Sequence, residues 1–368
     1  MSAERERRRR ILRWLPLSVL WPAGSRSAER AAPVTHYPAV VPGYRLRFPE
    51  DEGSHPAFRT EWWYITGWLD TENRAPLGFQ VTFFRTRPET DARNPSAFAA
   101  RELIIAHAAL SDLKRGKLVH DQKLARAAFG LAGASEGRTH VWIDDWRLTQ
   151  AGASYRVEVP ARDFSMAFTF EADQPPLLQG ESGYSRKGPQ PQSASYYYSI
   201  PHLRVRGELA EGTKRVTVAS TAWLDHEWSS SYMDERATGW DWIGINLADG
   251  GALMLFRMRD RAGGNFWAGG SLRAANAAAR TLVPFEVQMT PTRSWRSPRT
   301  GESYPVAWRV RAAGLTVDIQ PLMDDQEHDT RVSVGTVYWE GAVTAAIGGR
   351  IVGRGYLELT GYWQPMKL

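Results

Sequence analysis

The chain has 368 residues, 43% of them hydrophobic and 23% charged, a length and balance that suit a globular protein with two cores. It contains no cysteine, which excludes disulfides, zinc–thiolate sites, iron–sulfur clusters and a cysteine nucleophile. The formal charge of +6 is concentrated in residues 1–30, where eight arginines stand against three glutamates, and the nearly neutral remainder argues against a nucleic-acid-binding surface.

Those arginines belong to a leader spanning 1–32. A basic start precedes a short apolar run from Ile11 to Pro22, then small residues and "AERAA". This is the order of a signal peptide, and the run is too short to cross a bilayer. "RRRILR" resembles a twin-arginine export signal. The expectation is an exported protein, periplasmic or secreted, against the alternative of a basic tail on a cytoplasmic one.

Beyond the leader the hydrophobic pattern has period two, the spacing of strands. "WWYITGWL", "LGFQVTFFRT", "LIIAHAALSDL", "HVWIDDWRL", "YRVEVPA", "FSMAFTFEA", "YYYSIPHLRVRGEL" and "RVTVASTAWLDHEW" each read as a strand and together predict a first β domain over 42–230. After "SSSYMDERATG" the pattern resumes with "WDWIGINLADGGALMLFRMRD" and continues to "GRGYLELTGYW", predicting a second over 238–368. The halves echo each other. Trp62 and Tyr64 align with Trp240 and Trp242, and Phe84-Arg85 with Phe256-Arg257. A repeat this long suggests a duplicated barrel rather than a solenoid.

Four clusters carry candidate chemistry. In "FRTEWWYITGWL", alternation points Glu61 and Trp63 one way and Trp62 and Tyr64 the other. One reading has these aromatics plug a barrel and pack against the neighbouring domain; the other puts Glu61 on a cavity with a shifted pKa. In "TAWLDHEWSSS", Asp225 and Glu227 share one face, His226 and Trp228 the other. His226 is either a proton shuttle oriented by a carboxylate or a satisfied histidine at the domain junction. In "GWDW", Asp241 sits between two indoles, as a desolvated proton donor or an exposed strand-start carboxylate. Tyr196, Tyr197, Tyr198 and His202 in "YYYSIPHL" line a pocket rim or pack in a strand. Arg85 and Arg257 read as buried partners of carboxylates or carbonyls, and Asp324, Asp325, Glu327 and His328 as a solvated turn. "HEWSS" departs from the His-Glu-x-x-His zinc signature, and no Gly-x-Ser-x-Gly elbow, phosphate loop or dinucleotide fingerprint occurs, so no metal or cofactor is expected.

"HPAFRTEWWY", "AWLDHEWSS", "GWDWIGINLADGGALMLFRMRD", "YWEGAV" and "GRGYLELTGY" resemble the AttH-like, carotenoid 1,2-hydratase-related family, whose members are often labelled secreted hydrolases. The resemblance spans the chain beyond the leader. It implies an all-β fold of two tandem lipocalin-like (calycin) barrels and, through the hydratases, roles for His226 and Trp228. A further Tyr and Asp of those hydratases fall near Phe256 and Met258, which cannot move protons.

The combined expectation is an exported monomer that binds an apolar small molecule, a lipid or isoprenoid, with hydratase- or hydrolase-type acid–base activity. Glu61, Asp225, His226 and Asp241 would be catalytic and converge where the barrels meet. Trp62, Tyr64, Tyr197, Trp228 and Trp242 would hold the ligand. The alternative is a non-catalytic periplasmic lipid carrier serving a membrane transport system.

Overall fold

The computed structural model describes residues 37–366 except 73, 89–94 and 97, and the side chain of 74. The leader lies outside these residues. Every ladder is antiparallel, and no α-helix occurs among the described residues. The first sheet holds β1 (Thr60–Thr71), β2 (Arg74–Thr86), β3 (Leu103–Asp112), β4 (Lys117–Arg126), β5 (Ala132–Ala134), β6 (His140–Ile143) and β7 (Trp146–Ala151). It continues through β8 (Ser154–Pro160), β9 (Ser165–Glu171), β10 (Leu177–Leu178), β11 (Tyr184–Arg186), β12 (Ala194–Glu211) and β13 (Lys214–Ser231). The second holds β14 (Gly239–Leu247), β15 (Ala252–Arg259), β16 (Asn265–Arg273), β17 (Ala279–Leu282) and β18 (Val287–Arg296). Its remaining strands are β19 (Ser303–Ala312), β20 (Leu315–Pro321), β21 (Glu327–Asp329), β22 (Val337–Ile347) and β23 (Arg350–Leu359).

In both sheets the first and last long strands pair at the centre of the order, β1 with β13 and β14 with β23. Each sheet thereby wraps around its own core, as in lipocalin-like barrels. Trp63, Ile65, Phe79, Val81, Phe168 and Phe170 fill the first. Ile243, Leu255, Tyr304, Trp308, Trp339 and Leu357 fill the second. A third apolar cluster lies between them, built from Tyr64, Trp68, Tyr197, Trp223, Trp242, Phe256 and Tyr356. The extra tryptophans are thus explained: strands covered on both faces need large apolar side chains on both.

Two sequence readings change. "HVWIDDWRL" is a hairpin rather than one strand, because Asp144 takes a left-handed φ of 57° and reverses the chain. The repeat register also moves by two residues. Glu61 faces Arg85 and Trp62 faces Phe84 across β1–β2, while Asp241 faces Arg257 and Trp242 faces Phe256 across β14–β15. The equivalent pairs are therefore Glu61 with Asp241 and Trp62 with Trp242, not Trp62 with Trp240. The ladders reveal the offset because cross-strand partners, unlike clustered tryptophans, have a unique register.

Candidate functional site

The β1–β13 ladder sorts the two sequence clusters by face. Glu61 lies opposite Trp228 and Trp63 opposite His226, pointing into the first barrel; Trp62 lies opposite Glu227 and Tyr64 opposite Asp225, pointing at the second. On β14 the same alternation turns Trp240 and Trp242 toward the first barrel.

These outward faces border a cavity of about 570 Å³ between the barrels, a size suited to a small molecule. Trp62, Tyr64, Phe84, Trp240, Trp242 and Tyr338 supply aromatic wall. Asp225, Glu227, Glu340 and Glu358 supply carboxyl groups, and His107 a neutral imidazole.

Each carboxyl is buried and held differently. Asp225 accepts hydrogen bonds from the Tyr197 hydroxyl (2.8 Å), the Ser199 hydroxyl (2.5 Å) and the Trp223 indole (2.7 Å). Trp242 in turn donates to the Tyr197 oxygen at 3.1 Å. Burial nevertheless pushes Asp225 up to about 7, because desolvation of the anion outweighs those three donors. Glu227 pairs with the buried Lys187 ammonium at 2.9 Å and accepts from Ser195. Lys187 is itself caged by the rings of Phe256, Tyr197 and Tyr232, 4.4–5.3 Å away.

Glu340 and Glu358 face each other across β22–β23. Directly opposed side chains on an antiparallel ladder lie about 5 Å apart at Cβ, so two anions here would repel with little water to screen them. Burial pushes Glu358 up to about 7 against a 2.8 Å hydrogen bond from the Trp240 indole. Burial and the neighbouring Glu358 charge push Glu340 well above the carboxylate range. The pair therefore holds at least one proton near neutrality.

The Glu61 side chain enters a separate network inside the first barrel. A 3-10 turn at Glu50–Glu52 and the following loop bring Ser54 and His55 over it. Glu61 accepts from the Ser54 hydroxyl (3.0 Å), the His55 amide (2.9 Å) and the Arg85 guanidinium (2.8 Å). The His55 Nδ1 and His226 Nε2 atoms lie 2.7 and 2.9 Å from Glu61 Oε1. Burial alone would raise Glu61, but the hydrogen bonds from His226 and His55 and the charges of His55 and Arg85 hold it well below the usual carboxylate range. His55 stacks on Trp228 with centroids 3.7 Å apart, and His226 on Trp63 at 4.7 Å. Potential metal-ligand atoms of His55, Glu61 and His226 lie within 4.8 Å of one another. Both carboxylate oxygens are already engaged, and Arg85 supplies the compensating positive charge, so the cluster is complete as a hydrogen-bonded ion network.

Asp241 occupies the matching place in the second barrel. It is fully buried and accepts from Arg257 (2.6 Å), Arg259 (3.1 Å) and the Tyr362 hydroxyl (3.0 Å). Arg85 and Arg257 are thus carboxylate partners at repeat-related positions, as their sequence context suggested. Of the five residues expected to converge, Glu61, His226 and Trp228 meet in the first barrel, His226 Nε2 lying 2.9 Å from Glu61 Oε1 and its ring 4.9 Å from that of Trp228, while Asp225 and Asp241 are held elsewhere. Asp225 reaches the cavity, and Glu61 also borders it although its carboxylate is held inside the first barrel with His226 and Trp228; Asp241 lies within the second. The reason is alternation: adjacent strand residues cannot share a face. Trp62, Tyr64, Tyr197 and Trp242 all reach the cavity.

Sequence reasoning missed Glu340, Glu358, His107 and Tyr338. "YWEGAV" and "YLELTGY" did carry a signal, since each embeds one glutamate in an apolar strand. The turn expected to be solvated is also different: Glu327 and His328 are 2% and 0% exposed, because β21 docks on β22. His202 sits at the β12 bulge and ties the barrels together, its Nε2 lying 2.7 Å from the Gly251 carbonyl.

The family model for AttH-like proteins matches residues 39–362. An AttH-designated structure from Nitrosomonas europaea is 52% identical with a TM-score of 0.83, covering 88% of this chain and 99% of that one. Kievitone hydratase from Nectria haematococca shares the fold at 14% identity and a TM-score of 0.65, covering 91% and 95%. CghA with Sch210972 does so at 15% and 0.51, covering 82% and 88%. No protein of curated function matches the sequence. By the extent of the family match and the Nitrosomonas likeness, the chain belongs to the AttH-like family.

Proposed function

We propose that the protein protonates an apolar, unsaturated small molecule in the interbarrel cavity, with hydration as the outcome. The observation that carries this reading is the Glu340–Glu358 pair, two buried carboxyls facing each other on the wall of an aromatic cavity. A carboxyl proton passes to one alkene carbon, forming the C–H bond as the π bond breaks. The cation left on the adjacent carbon lies against the indole faces of Trp62, Trp240 and Trp242. Water adds to that carbon and its surplus proton returns to a carboxylate, for which Asp225 is suited by titrating near neutrality. The likeness to kievitone hydratase supports the same direction. His226 and Trp228 would act from behind β13 as positioning residues, since they lie in the first-barrel core rather than the cavity lining.

The test is incubation of purified protein with a polyene or isoprenoid alcohol in ¹⁸O-labelled water, with product mass as the readout. Incorporation of one labelled oxygen by wild type, and its loss in a Glu358→Gln variant that still binds, is the expected result. Tight binding with the probe returned unchanged by both would favour the carrier reading, a protein that hands a lipid to a membrane partner. Export belongs to the same proposal and rests on the leader's arginines and apolar run. Recovery of protein from the native host with Met1 or Ser2 intact would refute it.

A further inference from the structure

Three histidines gather behind Glu340, where the second barrel meets β3 and β4 of the first. His328 on β21 lies 5.2 Å from His107 and 4.6 Å from His120, ring centre to ring centre. His107 is fully committed: Nδ1 lies 2.9 Å from the Tyr338 hydroxyl and Nε2 2.9 Å from the Ser333 hydroxyl. The other two rings are not. His328 Nδ1 lies 3.2 Å from Glu340 Oε1, but its Nε2 is buried without a hydrogen-bond partner. His120 Nδ1 is likewise buried and unpartnered, while its ring is only partly covered. A buried nitrogen left without a partner is costly, and two on adjacent rings call for an explanation.

We propose that His120 and His328 form a proton relay joining solvent to the cavity acid Glu340. The inference rests on the catalytic reading above. An apolar substrate filling the cavity would exclude water from its wall, so the acid needs a second route to exchange protons. Imidazole suits that route because one nitrogen can take a proton while the other gives one up.

The transfers balance. After Glu340 gives its proton to substrate, His328 Nδ1–H passes its own to Glu340 Oε1. His328 Nε2 then takes the proton of His120 Nδ1–H, directly or through one water, and His120 Nε2 takes one from solvent. Each passage inverts the tautomer of both rings. Asp225, which took the surplus proton of the attacking water, releases it to solvent when product leaves, so one proton enters through the relay for each one that departs, and the two rings regain their first tautomers by exchange with the water that refills the site. Neutral rings are required, and both are kept neutral chiefly by burial, which lowers the basicity of His120 and His328. Asp329, Arg299, Asp121 and Arg162 are the charged groups around His120.

The experiment follows hydrogen–deuterium exchange of the protonated-carboxyl infrared band after rapid mixing into deuterated buffer at pH 7. The cavity is filled with anilinonaphthalene sulfonate, and Glu340→Gln and Glu358→Gln assign the band. His328→Gln keeps a hydrogen-bonding group at Glu340 but cannot relay; His120→Gly removes the outer ring without touching Glu340. Exchange in the filled protein should slow at least tenfold in both variants, and added imidazole should restore it in His120→Gly, which a merely structural ring would not allow. Exchange at the wild-type rate in the filled variants would overturn the relay. Absence of the band from wild type would instead refute the protonated carboxyl pair, and with it the catalytic reading.

Discussion

Replacing Glu358 by Gln tests the buried carboxyl pair without needing a substrate. Glu358 titrates near 7 in the folded protein, against an ordinary value of 4.5. Its folded form therefore holds a proton that the unfolded chain has released between those values, and stability falls as pH rises from about 4.5 to about 7. At about 1.4 kcal/mol per tenfold change in proton affinity, the wild type forfeits about 3 kcal/mol across this window through Glu358. The amide carries no charge at any pH and can still accept the Trp240 hydrogen bond. It also relieves Glu340 of the neighbouring negative charge, which acts in the same direction. Urea unfolding at pH 5 and pH 8 should therefore show wild type losing on the order of 3 kcal/mol more than Glu358→Gln. Parallel pH dependences in the two proteins would refute the argument, because no anion would then be penalised at this position.

Removing one partner of the first-barrel network should be costly. Arg85→Met leaves Glu61 without its buried counter-charge and should lose about 3–5 kcal/mol by urea unfolding, with Arg85→Met/Glu61→Gln recovering much of the loss. Asp241→Asn should lower stability by a similar mechanism yet leave probe binding in the cavity within about twofold, since its carboxylate is consumed by Arg257 and Arg259 inside the second barrel. Any Cβ at Gly78 would lie 2.5 Å from the Ala342 Cβ across the seam, so Gly78→Val should wedge the barrels apart. That variant should lose about 1–3 kcal/mol and shift the tryptophan emission to longer wavelength, an outcome checked by fluorescence during urea titration.

Much of the architecture is legible in the residue pattern. Period-two alternation in β8 and β9 announces strands because successive side chains must take opposite faces. The same rule separates Asp225 and Glu227 from His226 and Trp228, and the structure keeps that separation. Alternation leaves open which face meets which surroundings. Nothing local distinguishes Glu61, bound by two histidines and an arginine, from a carboxylate on a ligand cavity.

Residue pattern alone marks the chain as built of antiparallel strands, duplicated, and crowded with aromatics beyond the needs of one core. Where the chemistry lies depends on how distant strands pair and how the barrels meet. Glu340 and Glu358 are 18 positions apart and become opposed through the β22–β23 register, while Asp225 and Tyr64, far apart in sequence, become opposed through the β1–β13 register of the other barrel. Their shifted acidity is a property of the seam, because desolvation and like-charge repulsion arise only once two separately folded faces exclude water between them.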